Sequence, residues 1–155
     1  MNTNSRVTTG QVVGLGAALL VLLLFFFPWI ELNLLLATTN LSGFQLATGS
    51  GPGGANFPGV PSLLFVPLSM LGVLALVGFC FLSSASQLRG VAAVLLIAAG
   101  GISALIIVYQ YLTLTQRLYQ DVVGMITQRL FTYSFGAHGA LVGSAVVSVA
   151  GVIDL

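Results

Sequence analysis

Seven of the 155 residues carry a formal charge: Arg6, Glu31, Arg89, Arg117, Asp121, Arg129 and Asp154. Between them lie four long uncharged stretches, of 24 residues from Val7 to Ile30, 57 from Leu32 to Leu88, 27 from Gly90 to Gln116, and 24 from Leu130 to Ile153. A bilayer core takes about 20 apolar residues per helix. The first, third and fourth stretches each accommodate one such helix, and the second accommodates one helix and a polar loop. The spacing predicts an all-α membrane protein, a single integral membrane domain over 1–155 with four transmembrane helices in an antiparallel bundle. A soluble domain carries about 25% charged residues, against 5% here, so no water-soluble surface can be assembled from this chain.

The first apolar run is longer than the roughly 7–15 residues of a signal-peptide core, and it ends in Phe-Phe-Phe-Pro-Trp with no small-residue cleavage site. It is read as a retained span over 11–29, stopped by Pro28 and Trp29. The other spans are placed at 61–82, 90–112 and 135–153. Ile30 to Leu34 alternate apolar and polar, the period of a strand with one buried face. The rest of the outer loop, 30–60, is rich in Thr, Ser, Gly and Pro, with Leu41, Phe44, Leu46 and Phe57 as anchors that fold it against the body of the molecule. Pro67 removes a backbone donor and is expected to kink span two. Ser83 to Arg89 is short enough to demand a helical hairpin. Leu114, Leu118, Val122, Met125, Ile126 and Leu130 fall on one helical stripe, so 113–130 is expected to be an amphipathic helix that lies in the interface or extends span three.

The basic residues do not orient the chain, because Arg6 and Arg89 fall on one side and Arg117 and Arg129 on the other. The aromatic residues do: Tyr109, Tyr111, Tyr119 and Tyr133 fall with Trp29 on one face, where amphipathic rings anchor at the headgroups. With no Lys or Arg in the first loop, the expected location is the plasma (inner) membrane, multi-pass, with cytoplasmic termini and large loops outside.

No enzyme constellation is present. There is one histidine, the three acids stand apart, and the Gly-rich stretch 49–54 lacks a following phosphate-binding Lys. The expectation is a non-enzyme with no resident metal. A net charge of +1 without a basic run excludes nucleic acid as a partner. The lone Cys80 forms no internal disulfide and reads as a small buried hydrophobe. Glu31 is expected to be solvated or paired with Arg117 or Arg129. No charge lies at mid-membrane depth to build a transport path.

Two features of span four stand out. His138 lies among small residues, Ser134-Phe-Gly-Ala-His-Gly-Ala, and an intramembrane histidine is a functional candidate. Two readings stand for it. It hydrogen-bonds a neighbouring helix or loop, or it ligates haem iron or the magnesium of a chlorophyll-type pigment; one histidine cannot supply both ligands of a bis-histidine haem. Gly136, Ala140, Ser144 and Ser148 recur every four residues, flanked by Gly139, Gly143 and Gly151, a pattern that lets helices pack backbone to backbone. Their partner is span one, with Gly10 and Gly14, or another protein.

Pro28-Trp29, the segment Ile30 to Leu34 and the run Leu41-Ser42-Gly43-Phe44-Gln45-Leu46-Ala47-Thr48-Gly49 resemble the first outer loop of small uncharacterised bacterial four-span membrane proteins. Those carry a similar Pro-Trp followed by Ser-Gly-x-x-Leu-Ala-Thr-Gly. The resemblance covers mainly residues 25–50 and implies no activity. The layout is also similar to that of the claudin family, in which a Trp ends the outer side of span one and a strand-rich loop follows; the paired cysteines and Gly-Leu-Trp of claudins are absent, which leaves an analogy of topology. The function expected is that of an accessory or scaffolding subunit of a larger membrane complex, an electron-transfer (respiratory or photosynthetic) complex among the candidate hosts. Its expected partners are other membrane subunits or copies of itself, with bound lipids. The alternatives are a pigment- or haem-binding subunit using His138 and a self-associating adhesion or pore protein.

Overall fold

A computed structural model describes residues 8–34, 37–54, 56, 58–82, 88–120 and 131–155. In chain order the elements are α1 (Thr9–Phe25), β1 (Pro28–Leu34), β2 (Ala37–Ser42), α2 (Gly43–Thr48), 3₁₀ turns at Pro52–Gly54 and Pro61–Leu64, α3 (Phe65–Leu82), α4 (Leu88–Gln120), β3 (Phe131–Tyr133) and α5 (Phe135–Ile153). Three helical segments, Pro61–Cys80, Gly90–Thr113 and Phe135–Ile153, are long and apolar enough to cross a membrane. Apolar side chains point outward along all four long helices, among them Leu19 and Leu23 on α1, Leu68 and Phe79 on α3, Ile102 and Leu105 on α4, and Val142 and Val149 on α5. Such a surface is compatible with lipid and not with water.

The first helix is shorter than the expected span of 11–29. It begins earlier, because Thr8 caps it: the Thr8 hydroxyl accepts from the Gln11 backbone N–H, and the Gln11 side chain accepts from the Thr8 N–H. It ends at Phe25, and Pro28 and Trp29 open a strand instead of closing the helix. The residue before a proline is pushed towards extended backbone, so the chain leaves the helix before Pro28 is reached. Pro67 was expected to kink span two. It is the third residue of α3, in the first turn, where the backbone N–H has no acceptor within the helix. Span three continues as one helix of 33 residues to Gln120, the second of the two arrangements expected for 113–130. Residues 121–130, residues 83–87, where a helical hairpin was expected to turn, Arg6 and Phe57 lie outside the described residues.

The four long helices form a ring in chain order. α1 packs on α3 and α5, α4 packs on α3 and α5, and α1 and α4 face each other across the centre with little contact. α5 is the helix that most closely joins its neighbours. A methyl at Gly143 would lie 2.5 Å from Val21 of α1, and one at Gly100 of α4 would lie 2.5 Å from the Ser144 carbonyl. The small stripe of span four is therefore used inside the chain, on two sides. Gly139 and Gly143 face α1, while Ser144, Ser148 and Gly151 face α4. Hydrogen bonds reinforce the ring: Ser148 Oγ donates to the Ile97 carbonyl at 3.1 Å, and Ser69 and Ser103 hydroxyls pair at 2.7 Å between α3 and α4. Interhelical bonds of this kind average about 0.6 kcal/mol in membrane proteins. At the end of the ring away from the sheet, the Thr8 hydroxyl donates to the Asp154 carboxylate at 2.7 Å and ties the start of α1 to the end of α5.

The expected strand-like segment is the centre of a three-stranded antiparallel sheet of order β2-β1-β3. β1 and β2 form a hairpin, with Asn33 opposite Thr38 and Leu34 opposite Ala37. β3 comes from the far end of the sequence, just before α5. Behind the hairpin, α2 is capped at both ends: Ser42 and Gln45 form a reciprocal capping box, and Gly49 closes the helix at φ 76°. Leu41 and Leu46 are buried as the anchors they were expected to be, while Phe44 is exposed and stacks on Phe26. The first loop is thus a folded cap over one end of the ring.

Gly100→Val should destabilise the ring by about 1–3 kcal/mol, the cost of overpacking. Gly72, where an added Cβ meets nothing within 4 Å, should tolerate Ala with a neutral or stabilising effect of up to about 1 kcal/mol. Thermal unfolding midpoints of the two variants in detergent test the pair, and equal midpoints would contradict this packing.

Candidate functional site

The junction between the cap and the ring is built around Trp29. The register of β1 against β2 shifts between Pro28 and Ile30, so Trp29 is the extra residue of a bulge. A bulge re-aims side chains, and here it allows two consecutive residues, Trp29 and Ile30, to be buried at 4% and 3% exposure. The indole N–H donates to the Leu24 carbonyl at 2.9 Å and the ring meets Phe25 edge-on. Trp29 therefore has a protein partner for its polar edge where a headgroup was expected. Gly43 and Gly136 fit against this ring, since a Cβ at either would come within 2.8 Å of it.

The same junction sets the start of α5. The Ser134 N–H donates to the Trp29 carbonyl at 2.8 Å, and Ile30 pairs with Tyr133 across the sheet. Ser134 is the N-cap of α5, though its hydroxyl makes no capping bond. Its carbonyl accepts from the Ala137 N–H at 3.2 Å and lies 3.1 Å from His138 Nδ1. Tyr133 stacks on Tyr111 of α4 with centroids 3.8 Å apart, and its hydroxyl donates to the Tyr111 carbonyl. Tyr111 meets the His138 ring edge-on at 6.4 Å.

Between α4 and α5, below this stack, is a cleft of about 180 Å³ lined by Ile107, Val108, Tyr111, Leu112, Ala137, His138 and Leu141. His138 is its one residue with an ionisable nitrogen, and the rest is apolar except for the Tyr111 hydroxyl. Chemically the cleft can hold a ring-sized apolar group and offer it one nitrogen.

The structure brings Tyr111 beside both His138 and Tyr133. Tyr109 points outward at 64% exposure, and Tyr119 lies further along α4. Gly136, Gly139, Ala140, Gly143, Ser144 and Ser148 serve helix and sheet packing within the chain. Glu31 sits in β1 opposite Asn40 and Thr132; Arg129 lies outside the described residues. Among the described residues no three of His, Cys, Asp and Glu gather where a metal ion could be held. Sequence reasoning missed β3, the Tyr111–Tyr133 stack, the Ser69–Ser103 pair and the Thr8–Asp154 bond. The capping boxes were visible as Thr8-x-x-Gln11 and Ser42-x-x-Gln45 and would have placed the starts of α1 and α2. No family model, curated protein or solved structure matches this chain.

Trp29, the chain's one tryptophan, should emit at short wavelength and resist quenching by aqueous iodide. Trp29→Phe removes its hydrogen bond and should cost about 0.5–1.5 kcal/mol on that account. An iodide-accessible indole would contradict the buried position.

Proposed function

We propose that the chain is a four-span protein of the plasma membrane that serves as an accessory or scaffolding subunit of a larger membrane assembly, without catalysing a reaction of its own. α1 has 17 residues, about 25 Å of helix. Phe26 and Phe27, both more than half exposed, prolong its apolar surface towards the roughly 30 Å of a bilayer core. The Thr8–Asp154 bond at one end and the sheet at the other agree with an even number of crossings. The orientation follows the aromatic residues and the uncharged first loop, with termini in the cytoplasm and the cap outside.

One observation carries the scaffolding role: the cap is a folded element locked to the ring, and β2 is an edge strand of its sheet among the described residues. An edge presents backbone donors and acceptors to another chain. The interior polar groups Ser69, Ser103, Ser144 and Ser148 pair within the bundle, which supports a structural role for them. The same edge favours a second reading, self-association through the first loop, in which β2 of one copy meets β2 of another.

Extracted in mild detergent, the chain should run in a complex larger than one 16.0 kDa chain. Lysines in place of the exposed Thr38 and Asn40 on β2 should release it, because charges on an edge block strand pairing. Native mass spectrometry reads both results: foreign subunits support the accessory reading, copies of this chain alone support self-association, and a wild-type monomer sinks both.

A further inference from the structure

The Ser134 carbonyl can only accept, so His138 Nδ1, 3.1 Å away, carries the proton. A neutral imidazole protonated at Nδ1 has its lone pair at Nε2, and among the described residues no donor is paired with that atom. The backbone thus fixes the tautomer, and His138 brings an acceptor to a cleft whose one other polar side chain is Tyr111. A ligand that completes it must bring a donor.

Volume narrows the ligand further. An apolar cavity of about 150 Å³ takes up a benzene molecule, and this cleft measures about 180 Å³. That is space for one six-membered ring with small substituents. The outer lip is apolar, with Val108 and Leu112 exposed at 40% and 56%, so a tail attached to the ring would continue along the lipid-facing side of α4.

We infer that the His138 cleft binds the head of a hydroxylated aromatic amphiphile, a quinol or long-chain phenol, its ring between α4 and α5 and its O–H donating to Nε2. The polarity of the site makes it selective for oxidation state. A quinol donates to Nε2; the corresponding quinone has only acceptor oxygens and leaves Nε2 without a partner, while the Tyr111 hydroxyl can donate to an oxygen of either. The inference rests on the membrane location proposed above but not on any protein partner, and it is tested on the purified chain.

The probes are decyl-benzoquinol, kept reduced under nitrogen, and decyl-benzoquinone, equilibrated by dialysis between micelles that hold the protein and empty micelles. The quinol should bind about fivefold more tightly than the quinone, the ratio that one neutral hydrogen bond gives. His138→Phe, which keeps a ring on an exposed position, should bring the two affinities together. Leu141→Trp, which fills the cleft, should weaken both, with folding of each variant checked by its unfolding midpoint. Equal binding of the two probes to the wild type, or the same preference in His138→Phe, overturns the inference. So does a haem Soret shift that depends on His138 in a protein that ignores the quinol.

Discussion

The ring is held by the absence of side chains on one helix. In lipid there is no hydrophobic force to press one apolar helix on another, so association depends on close van der Waals contact and interhelical hydrogen bonds. α5 meets this requirement on two sides at once, with Gly139 and Gly143 against α1 and with Ser144, Ser148 and Gly151 against α4, where Gly100 answers them. Any side chain at Gly143 or Gly100 would force a neighbour away. The order of the ring, with α5 between α1 and α4 and α3 completing the circuit, follows from those contacts.

The cap depends on the same helix. β1 reaches α5 through the Trp29 carbonyl and the Ser134 N–H, and Gly136 lets the start of α5 rest on Pro28 and Trp29. The bulge at Trp29 turns two neighbouring side chains into the core, which a regular strand with alternating faces would not do. Ser134 then has a double role. Its N–H holds the sheet, and its carbonyl lies 3.1 Å from His138 Nδ1. Cap, bundle and cleft are mechanically one arrangement, so the chemistry available at His138 depends on the strand pairing of a segment about a hundred residues earlier.

Much of the helical plan was legible from spacing alone. The charge gaps located α4 and α5 to within about five residues, because a charge in the membrane interior is costly and so marks an end. The end of α1 was misplaced since Pro28 and Trp29 carry both a helix-stop and an interface signal, and neither reveals a bulged strand. His138 was identified from its type and its small neighbours. Its neighbours were not, because Tyr111 and Tyr133 come from a helix and a strand whose pairing depends on contacts between distant parts of the chain. Asp154, isolated in sequence, meets Thr8 across nearly the whole chain; a bond of that separation leaves no local trace.

The sequence by itself determined the apolar, largely helical character of this protein, since dissolving so apolar a surface in water is excluded by transfer energy. It also marked α5 as the helix that others approach, through the regular loss of side chains. Only the tertiary structure decided which helices approach it, how the first loop closes with a strand from before α5 into one sheet, and which rings stand beside His138. Those are matters of distance between residues far apart in the chain, and composition and period carry no information about distance.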